Sequence, residues 1–548
     1  MNPISRRTFL AGSAAVALAA CAGDDDGAAP ATTNPPATTT TGNPPATTSG
    51  AATTDAATTT AAATTTTAAP PPYPGAADPF TLGVASGDPL ADSVVLWTRL
   101  VPPGEVLPDA VDVRVDVARD EGFADAVSSV TATATAGEGH SLHVVADGLD
   151  PDAWYFYRFV AGAYTSATGR LRTTAADDMA AAGLVLGSAS CQNYEDGYYA
   201  AHADIAAAGL DVLVWLGDYI YEAAGQPVTG AQGAVRTHGT PEPTTIDEYR
   251  ARYALYKSDP DLQAAHAACP WLVIWDDHEV ENNYASESAQ EPVSVDQFRT
   301  RRAAAYRAWW EHMPVRLPAP DSPDYVIYRS FRHGTLVDLS LLDTRQYRSD
   351  QACGDVTLSV DPPCAAWSEP DRTMLGAEQE AWLFDRLGSA SARWNVLGQQ
   401  VILGNTMLNG AVLNYDQWDG YPIARERLLQ TLVDAQVPNV VVLTGDIHLA
   451  GVGNLRAPNG ALVGCEMVAT SISSGGNVDP ALTAILQSIP DIVDAELAHR
   501  GWIKHTVTPE RWQAEYRIVE DVTLPASPVT VYGTYEVLDG TFAAVKLA

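Results

Sequence analysis

Basic residues are scarce in this sequence. Its 548 residues include 32 Lys and Arg against 67 Asp and Glu, which gives a formal net charge of −35. No basic stripe is available to neutralise phosphates, so the composition argues against a nucleic acid as a specific partner. We expect most of the acidic residues to form a solvated surface, although carboxylates are also the ligands that suit divalent cations.

Cysteine is also rare, with six residues and no Cys-x-x-Cys pair. Zinc-finger and thioredoxin-like folds are therefore disfavoured. Cys353 and Cys364 lie in a loop rich in Pro, Gly and Asp, and could close a short disulfide in an oxidising compartment. Cys269 and Cys465 are expected to be buried thiols, with a bridge between them as the alternative.

The N-terminus lacks an apolar run long enough for a stable membrane span. Residues 1–21 instead predict a targeting segment, in which a twin-arginine pattern at Ser5–Leu10 precedes an Ala/Val/Leu run. Leu18–Cys21 resembles a bacterial lipobox, whose cysteine becomes the lipidated first residue; the alternative is an ordinary signal cut nearby. We therefore expect export through the twin-arginine pathway. The mature protein is then lipid-anchored at Cys21 on the outer face of the bacterial cytoplasmic membrane, or periplasmic or secreted, with no other membrane contact.

Large apolar residues are almost missing from residues 22–76, which consist mainly of Thr, Ala, Pro and Gly. Such a segment cannot bury enough surface to offset the entropy of ordering its chain. The composition predicts a disordered spacer between the targeting segment and a globular part.

The remainder of the chain predicts two folded regions. Residues 77–175 predict a fibronectin-like or immunoglobulin-like β-sandwich, because alternating segments such as Val111–Val117 are separated by turn residues. We expect Phe80–Arg99 to pack against the region that follows. From residue 176 to 548, apolar strand-like runs alternate with helical stretches, which indicates an α/β domain.

Two local predictions concern the second half of this α/β domain. A strand is predicted over Asn395–Ile402. The segment after Gly475 is predicted to be irregular helix followed by strands near Val529–Val537 and Phe542–Lys546, and a late helix near Asp491–Ala498 could shield a site.

Four predicted strands end in side chains that bind metals. These ends are Ser188–Gln192, Gly217–Tyr221, Asp276–Asn283 and Gly445–His448. Open α/β sheets build their sites in the crevice beyond the carboxyl ends of the strands. One such strand end alone is weak evidence, since Gly-Asp after a strand is usually a turn. Four of them together predict a metal site.

The order of these motifs along the chain resembles that of the metallophosphoesterase superfamily. Their residue sequences resemble, within it, those of the PhoD-type alkaline phosphatases. The resemblance extends from Phe80 to the C-terminus and rests on Gly83–Pro89, Leu96–Arg99, Ser190–Gln192, Leu216–Glu222, Trp275–Glu281, Leu342–Arg348, Leu397–Gln400 and Leu443–His448. It implies a fibronectin-like N-terminal domain followed by a four-layered αββα catalytic domain that hydrolyses phosphoesters.

Donor chemistry suggests one iron site. A thiolate, a carboxylate, a phenolate and an imidazole suit Fe(III), because anionic donors stabilise the trivalent ion. Members of the resembled family are similar in using an iron–tyrosinate centre. The candidate ligands are Cys191, Asp218, Tyr221 and His448.

A second site next to the iron is expected to take Ca²⁺. Asp218 could bridge the two metals, and Asp277 and Asp446 would complete the second site, with Asn282 or Asn283 as possible further ligands. Related zinc- and manganese-type enzymes have His or Asn where this chain has Asp277 and Asp446. Carboxylate in place of nitrogen favours a hard cation such as Ca²⁺, in a number that the sequence does not define.

The resemblance implies two-metal hydrolysis, in which the ions lower the pKa of a water and stabilise charge on the phosphoryl oxygens. Asp218 and His278 are the predicted catalytic residues. His278 would protonate the leaving group or stabilise its charge, or, alternatively, only orient Asp277. Arg345 could bind phosphate or form a structural ion pair.

Three functions are compatible with these motifs. The first is a phosphomonoesterase or phosphodiesterase of the PhoD type, and the second is a phospholipase D that cleaves headgroup diesters, as some family members do. The third is a surface binding protein with a structural metal site, which an intact set of ligands disfavours.

Overall fold

The computed structural model describes residues 69–230, 233–290, 292–355, 361–476 and 478–547. The predicted targeting segment with Cys21, and most of the predicted spacer, lie outside these residues. Among the residues described, no helix combines the length and apolar character that a membrane span requires.

The last residues of the predicted spacer are packed. The carbonyl oxygen of Pro71 accepts a hydrogen bond from the Gly162 N–H at 3.0 Å. The ring of Tyr73 contacts that of Tyr164 edge to face, with 5.7 Å between centroids. The spacer prediction was therefore too long at this end, because one tyrosine supplies apolar contact that the surrounding Pro and Ala residues lack.

Eight strands form the N-terminal region. They are β1 (Val84–Gly87), β2 (Val94–Arg99), β3 (Ala110–Ala118), β4 (Ala126–Thr135), β5 (Ser141–Ala146), β6 (Trp154–Ala161), β7 (Tyr164–Thr165) and β8 (Gly169–Arg172). In β3 the valines at 111, 113, 115 and 117 are buried and Asp112 is exposed, as the alternation predicts.

Two layers of strands make up this region, but they do not belong to one separate sandwich. One layer is an antiparallel sheet in the order β4-β3-β6-β7, with β8 on β6. In the other layer, β2 pairs with β1 and β5, and its apolar side chains share a core with those of β3 and β6.

The second layer continues into the α/β region. Fourteen further strands are described there: β9 (Leu184–Ala189), β10 (Val212–Trp215), β11 (Pro270–Val273), β12 (Arg329–His333), β13 (Val337–Leu341), β14 (Trp394–Gly398), β15 (Val440–Thr444), β16 (Ala450–Arg456), β17 (Leu462–Val468), β18 (Ile492–Glu496), β19 (Arg500–Val507), β20 (Arg511–Val519), β21 (Val529–Leu538) and β22 (Val545–Lys546). Strand β1 pairs in parallel with β11, with Ser86 opposite Pro270. Phe80–Arg99 therefore joins the next region by backbone hydrogen bonds and does more than pack against it.

Seven α-helices accompany these strands within the described ranges: α1 (Ala200–Ala207), α2 (Ile246–Lys257), α3 (Pro260–Ala268), α4 (Val295–His312), α5 (Gly376–Gly388), α6 (Pro422–Asp434) and α7 (Thr483–Leu486). Capping boxes begin two of them: Thr245 with Glu248 on α2, and Ser294 with Gln297 on α4.

Three local predictions were wrong. The strand predicted over Asn395–Ile402 ends at Gly398, after which the chain turns into the site. Residues 492–496 form strand β18 and not a helix, because they pair with β16. Strands β19 and β20 also replace the irregular helix predicted between Gly475 and Val529. Strand β20 alternates buried Trp512, Ala514 and Tyr516 with more exposed polar residues, a period of two that indicates a strand.

The α/β region has four layers. Its ten-stranded sheet runs β22-β21-β20-β19-β9-β10-β11-β1-β2-β5, and its seven-stranded sheet runs β12-β13-β14-β15-β17-β16-β18. One buried core joins the facing sides of both sheets to helices α1–α4, and a second joins the seven-stranded sheet to α5 and α6. The predicted αββα architecture is therefore confirmed.

The carboxyl ends of the parallel strands meet where the two sheets converge. Strands β9, β10 and β11 are parallel in one sheet, and β13, β14, β15 and β17 are parallel in the other. Ser190, after β9, forms a parallel bridge with Ser471, after β17. The loops that carry the four metal-binding motifs therefore open onto one crevice.

A buried ion pair ties the N-terminal region to this fold and gives a first prediction. Asp88 pairs with Arg329 at 2.7 Å and accepts the Arg316 N–H at 2.8 Å. Asp88→Asn keeps the shape and tolerates the positive φ of 41° at this position, but removes the charge. We expect it to lower the free energy of unfolding by about 1.5–3 kcal/mol, seen as a lower Tm in calorimetry.

Arg119→Gln is the matched control, because Arg119 pairs with Asp150 on the exposed surface. It should leave Tm unchanged, since exposed pairs contribute little. Equal Tm values for the two variants would show that the buried pair does not stabilise the junction.

Candidate metal centre

The ligand loops share an unusual backbone conformation. Four of the predicted ligands have positive φ: Cys191 at 61°, Asp218 at 57°, Asp446 at 65° and His448 at 58°. Non-glycine residues adopt this region rarely and at a cost, and such residues cluster at functional sites. Each one turns the chain sharply at a strand end, which directs its side chain into the crevice.

The four residues predicted to bind iron lie together. Ligand atoms of Cys191, Asp218 and His448 are all within 4.8 Å of one another, and all three residues are buried. The Tyr221 hydroxyl is 2.8 Å from Asp218 Oδ2 and 2.9 Å from His448 Nε2.

A second group of ligands adjoins the first. Asp276, Asp277 and Asp446 form one cluster within the same 4.8 Å limit, and Asp218, Asp277 and His278 form another. Asp218 is shared by the thiolate cluster and the carboxylate side, as expected for a bridging ligand. Sequence reasoning missed Asp276, although its place beside Asp277 at the end of β11 was a usable signal.

The two asparagines contact the site mainly through their backbones. The Asn282 N–H donates to Glu222 Oε1 at 3.0 Å, and the Asn283 N–H donates to Asp277 Oδ2 at 2.6 Å. The side-chain amide of Asn283 donates to Asp355 Oδ2 at 3.2 Å. Asn283 is thereby the better placed of the two next to the carboxylate cluster.

Arg345 is fully buried among carboxylates. It forms ion pairs with Asp276, Asp277, Asp416 and Asp446. Its Nε, Nη1 and Nη2 atoms all donate to carboxylate oxygens. Of the two roles considered for Arg345, these contacts favour the structural ion pair.

His278 lies at the rim and is paired with a buried acid. Its Nδ1 is 2.7 Å from Glu222 Oε2, its ring centroid is 4.1 Å from that of Tyr221, and its side chain is 19 % exposed. Burial opposes a charge on this ring, but Glu222 and Asp218 outweigh burial and raise the pKa of His278 well above its usual value. The side chain therefore holds a proton in a place that solvent can reach.

The tautomer of His448 is fixed by a backbone carbonyl. Nδ1 lies 2.6 Å from the oxygen of Gly475, which can only accept, so Nδ1 carries the hydrogen. Burial lowers the pKa of His448 to about 3, so the ring is neutral and Nε2 presents a lone pair. Donation from Nδ1 to a carbonyl is the usual support for a histidine that binds a metal through its other nitrogen.

Several buried polar atoms of the site are arranged to accept a cation. The Tyr221 hydroxyl lies 2.8 Å from Asp218 Oδ2 and 2.9 Å from His448 Nε2, and it can donate its one proton to only one of them. Among the described residues, Asp276 Oδ2 and Asp277 Oδ1 are buried without a hydrogen-bond partner. Asp277 Oδ1 has only a long ion pair, 3.6 Å from Arg345 Nη2. Buried carboxylate oxygens that accept no hydrogen bond are costly, and a bound cation removes that cost.

The pKa values of the clustered side chains also agree with a cation-binding site. Burial raises the pKa of Cys191, Tyr221 and Asp218 well above their usual values, so the cluster would keep these protons in the absence of a metal. Burial also raises the pKa of Asp446 to about 6. Metal binding at such ligands displaces protons, which couples affinity to pH.

Several residues that support the ligands were not apparent from the sequence. Ser474 donates to the Tyr221 hydroxyl at 2.9 Å, and the hydroxyl of Tyr256 accepts the Tyr221 N–H at 3.1 Å. Asp416 pairs with Arg345 and Arg348 at 2.7 Å each. These residues come from irregular loops and a helix, so no strand-end pattern marks them.

The cysteines away from the crevice also have defined states. Cys353 and Cys364 form a disulfide with 5.6 Å between their Cα atoms. Cys269 and Cys465 are both buried free thiols, so the alternative of a bridge between them was wrong.

Comparisons with known proteins identify the family. The PhoD-like phosphatase profile matches residues 184–516, and the profile for the N-terminal domain of PhoD-like phosphatases matches residues 63–175. Alkaline phosphatase D of Bacillus subtilis (strain 168) is 45% identical over 472 residues, which cover 83% of this chain and 80% of that protein. A solved structure of PhoD superposes with a TM-score of 0.83 and 44% identity, over 86% of this chain and 93% of the other. These matches confirm the predicted resemblance, and the chain belongs to the PhoD-like phosphatase family.

Proposed function

We propose that this chain is an exported phosphoesterase of the alkaline phosphatase D type that hydrolyses phosphate monoesters or diesters at an iron–calcium centre. The observation that carries the proposal is the convergence of Cys191, Asp218, Tyr221 and His448 beside a second cluster made of carboxylates. Membership of a phosphatase family and the likeness to alkaline phosphatase D support the reaction class.

The two clusters differ in the metal they suit. Thiolate, phenolate and imidazole donors in the first favour Fe(III) over Ca²⁺, which takes oxygen ligands only. The second cluster offers the oxygens of Asp277 and Asp446 and shares Asp218 with the first. Carboxylates alone favour a hard cation, so we assign Ca²⁺ to it.

The side chains around the centre each have a task. When bound, the two ions would lower the pKa of a water and stabilise charge on the phosphoryl oxygens. Asp218 belongs to both clusters and so fixes their relative position. Glu222 accepts from Nδ1 of His278, which leaves the Nε2 proton of the imidazolium for the leaving-group oxygen of the ester.

Export is proposed from the sequence alone. The twin-arginine pattern and the lipobox with Cys21 support transport of the folded protein and a lipid anchor. The Cys353–Cys364 disulfide is in keeping with an oxidising compartment.

A substrate panel tests the reaction. The metal-loaded protein should hydrolyse p-nitrophenyl phosphate or its bis-ester, and His278→Gln should reduce that rate by about 100- to 10,000-fold, because a general acid contributes this much. Preferential release of choline from phosphatidylcholine vesicles would favour the phospholipase D alternative. Failure to cleave any of the three esters would leave a binding protein with a structural metal site.

Colour tests the iron assignment. A phenolate bound to Fe(III) gives a visible charge-transfer band, so the purified protein should be coloured and Tyr221→Phe should bleach it. Tyr253→Phe is the matched control, because Tyr253 is also buried but its hydroxyl has no hydrogen-bond partner among the described residues. A colourless protein with full metal content and activity contradicts the iron assignment.

Chelation tests the second ion. EGTA should abolish activity and leave much of the visible band, since the iron ligands include a thiolate and a phenolate that calcium does not need. Added Ca²⁺ should restore the rate. Activity that persists in EGTA shows that the second ion is not readily exchangeable calcium.

A further inference from the structure

A short turn next to the carboxylate cluster carries one of the two cysteines of the disulfide. This segment, Gln351–Asp355, is called the disulfide turn here. The side-chain amide of Gln351 donates to Asp416 Oδ1 at 2.7 Å and to the carbonyl of Asn283 at 2.8 Å. Asp355 at the other end accepts from the side chain of Asn283 at 3.2 Å.

Asn283 contacts a proposed calcium ligand directly, and Asp416 is connected to another through Arg345. The N–H of Asn283 donates to Asp277 at 2.6 Å. Asp416 pairs with Arg345, which in turn pairs with Asp446, each at 2.7 Å. The disulfide turn therefore lies two or three contacts from the calcium ligands.

The backbone of the turn needs external support. Cys353, Gly354 and Asp355 are consecutive residues with positive φ, at 57°, 78° and 54°. Glycine adopts this region freely, but Cys and Asp do so at a cost. Such a run persists only where the surrounding structure holds it.

Two contacts hold the disulfide turn in place. Ala352 is buried against Tyr415 in a small apolar cluster. The disulfide connects Cys353 to Cys364, which directly precedes a short 3₁₀ helix, Ala365–Ser368, whose Trp367 indole donates to the Asp419 carbonyl at 2.6 Å. The crosslink thus ties the turn to a second docked segment.

The iron side of the centre is supported by other residues. Its ligands are held by Ser474, by the carbonyl of Gly475 and by the carboxylate of Glu279. None of these belongs to residues 351–355 or 361–368. A change in the disulfide turn should therefore act on one cation and not on the other.

We propose that the Cys353–Cys364 disulfide positions the calcium side of the centre, by holding Gln351 and Asp355 against Asp416 and Asn283. Protein without the crosslink keeps its iron but binds Ca²⁺ more weakly. This inference rests on the proposed function, because it assigns calcium to the carboxylate cluster.

The crosslink makes calcium binding depend on redox state. The crosslink forms by thiol–disulfide exchange with the disulfide of a partner protein. The two Sγ atoms become bonded, and their two electrons and two protons pass to the partner, whose disulfide is reduced to a dithiol. Disulfides are rare in the cytoplasm and persist outside it. With the predicted twin-arginine export, the chain would fold and load iron inside the cell and become fully competent for calcium outside.

Calcium titration of the full chain in its iron-loaded form tests this. In Cys353→Ser/Cys364→Ser, the Kd for Ca²⁺ measured by calorimetry should rise about tenfold or more, as is typical when support for metal ligands is lost. The visible iron band should keep its wavelength. Cys465→Ala is the matched control, since it removes a buried thiol from β17 and should leave the Kd unchanged.

Asp355→Ala separates the contact from the crosslink. This variant keeps the disulfide but removes the hydrogen bond to Asn283, so it should also raise the Kd for Ca²⁺. If the double cysteine variant loses its iron band, the Kd of Asp355→Ala tests the inference instead. A Kd within about twofold of wild type in iron-loaded protein of both variants overturns the inference while leaving the metal assignment intact. Wild-type protein that binds no calcium overturns both.

Discussion

The buried carboxylate of Glu279 determines how the two halves of the centre lie relative to each other. It accepts the N–H groups of Asp218 at 3.1 Å, Tyr219 at 2.6 Å and Asp276 at 2.8 Å. Those groups belong to the loops after β10 and β11, so one side chain fixes Asp218 and the second cluster together. Burial raises the pKa of Glu279 to about 7, and the three donors oppose that rise. Without Glu279, each of these three N–H groups would be unsatisfied at a tight turn.

Charge balance is the second constraint on the centre. Asp276, Asp277, Asp416 and Asp446 are four carboxylates within reach of one arginine, Arg345, with Arg348 also paired to Asp416. Two guanidinium groups cannot neutralise four buried carboxylates, so the fold leaves negative charge that protons or cations must cover. The raised pKa of Asp446 agrees with coverage by a proton, and the oxygens of Asp276 and Asp277 that accept no hydrogen bond indicate where a cation would bind.

Sequence reasoning succeeded where one physical rule places a residue. A residue that closely follows a buried parallel strand must lie at the carboxyl edge of the sheet, and the candidate ligands Cys191, Asp218, Asp277, Asp446 and His448 all do. It failed where tertiary contacts decide. Ser474 and Asp416 lie on loops with no periodicity, and β18 is a strand because β16 offers it a partner. Strand β20, in contrast, carried a readable alternation that was overlooked.

The N-terminal strands have a part in the centre although none of their residues enters it. Strand β11 leads directly into Asp276 and Asp277, and it lies between β10 and β1. Without β1 it would be an edge strand with unpaired backbone groups, and edge strands fray and slip in register. The turn after β1 adds a further restraint, because the Asp88 N–H donates to the Trp271 carbonyl of β11 at 3.2 Å. A slip of one residue there would turn both aspartates away from the crevice. The N-terminal region is therefore a structural requirement of the second cluster, and its removal should disturb Asp276 and Asp277, which follow β11, before Cys191, which follows β9, two strands further away.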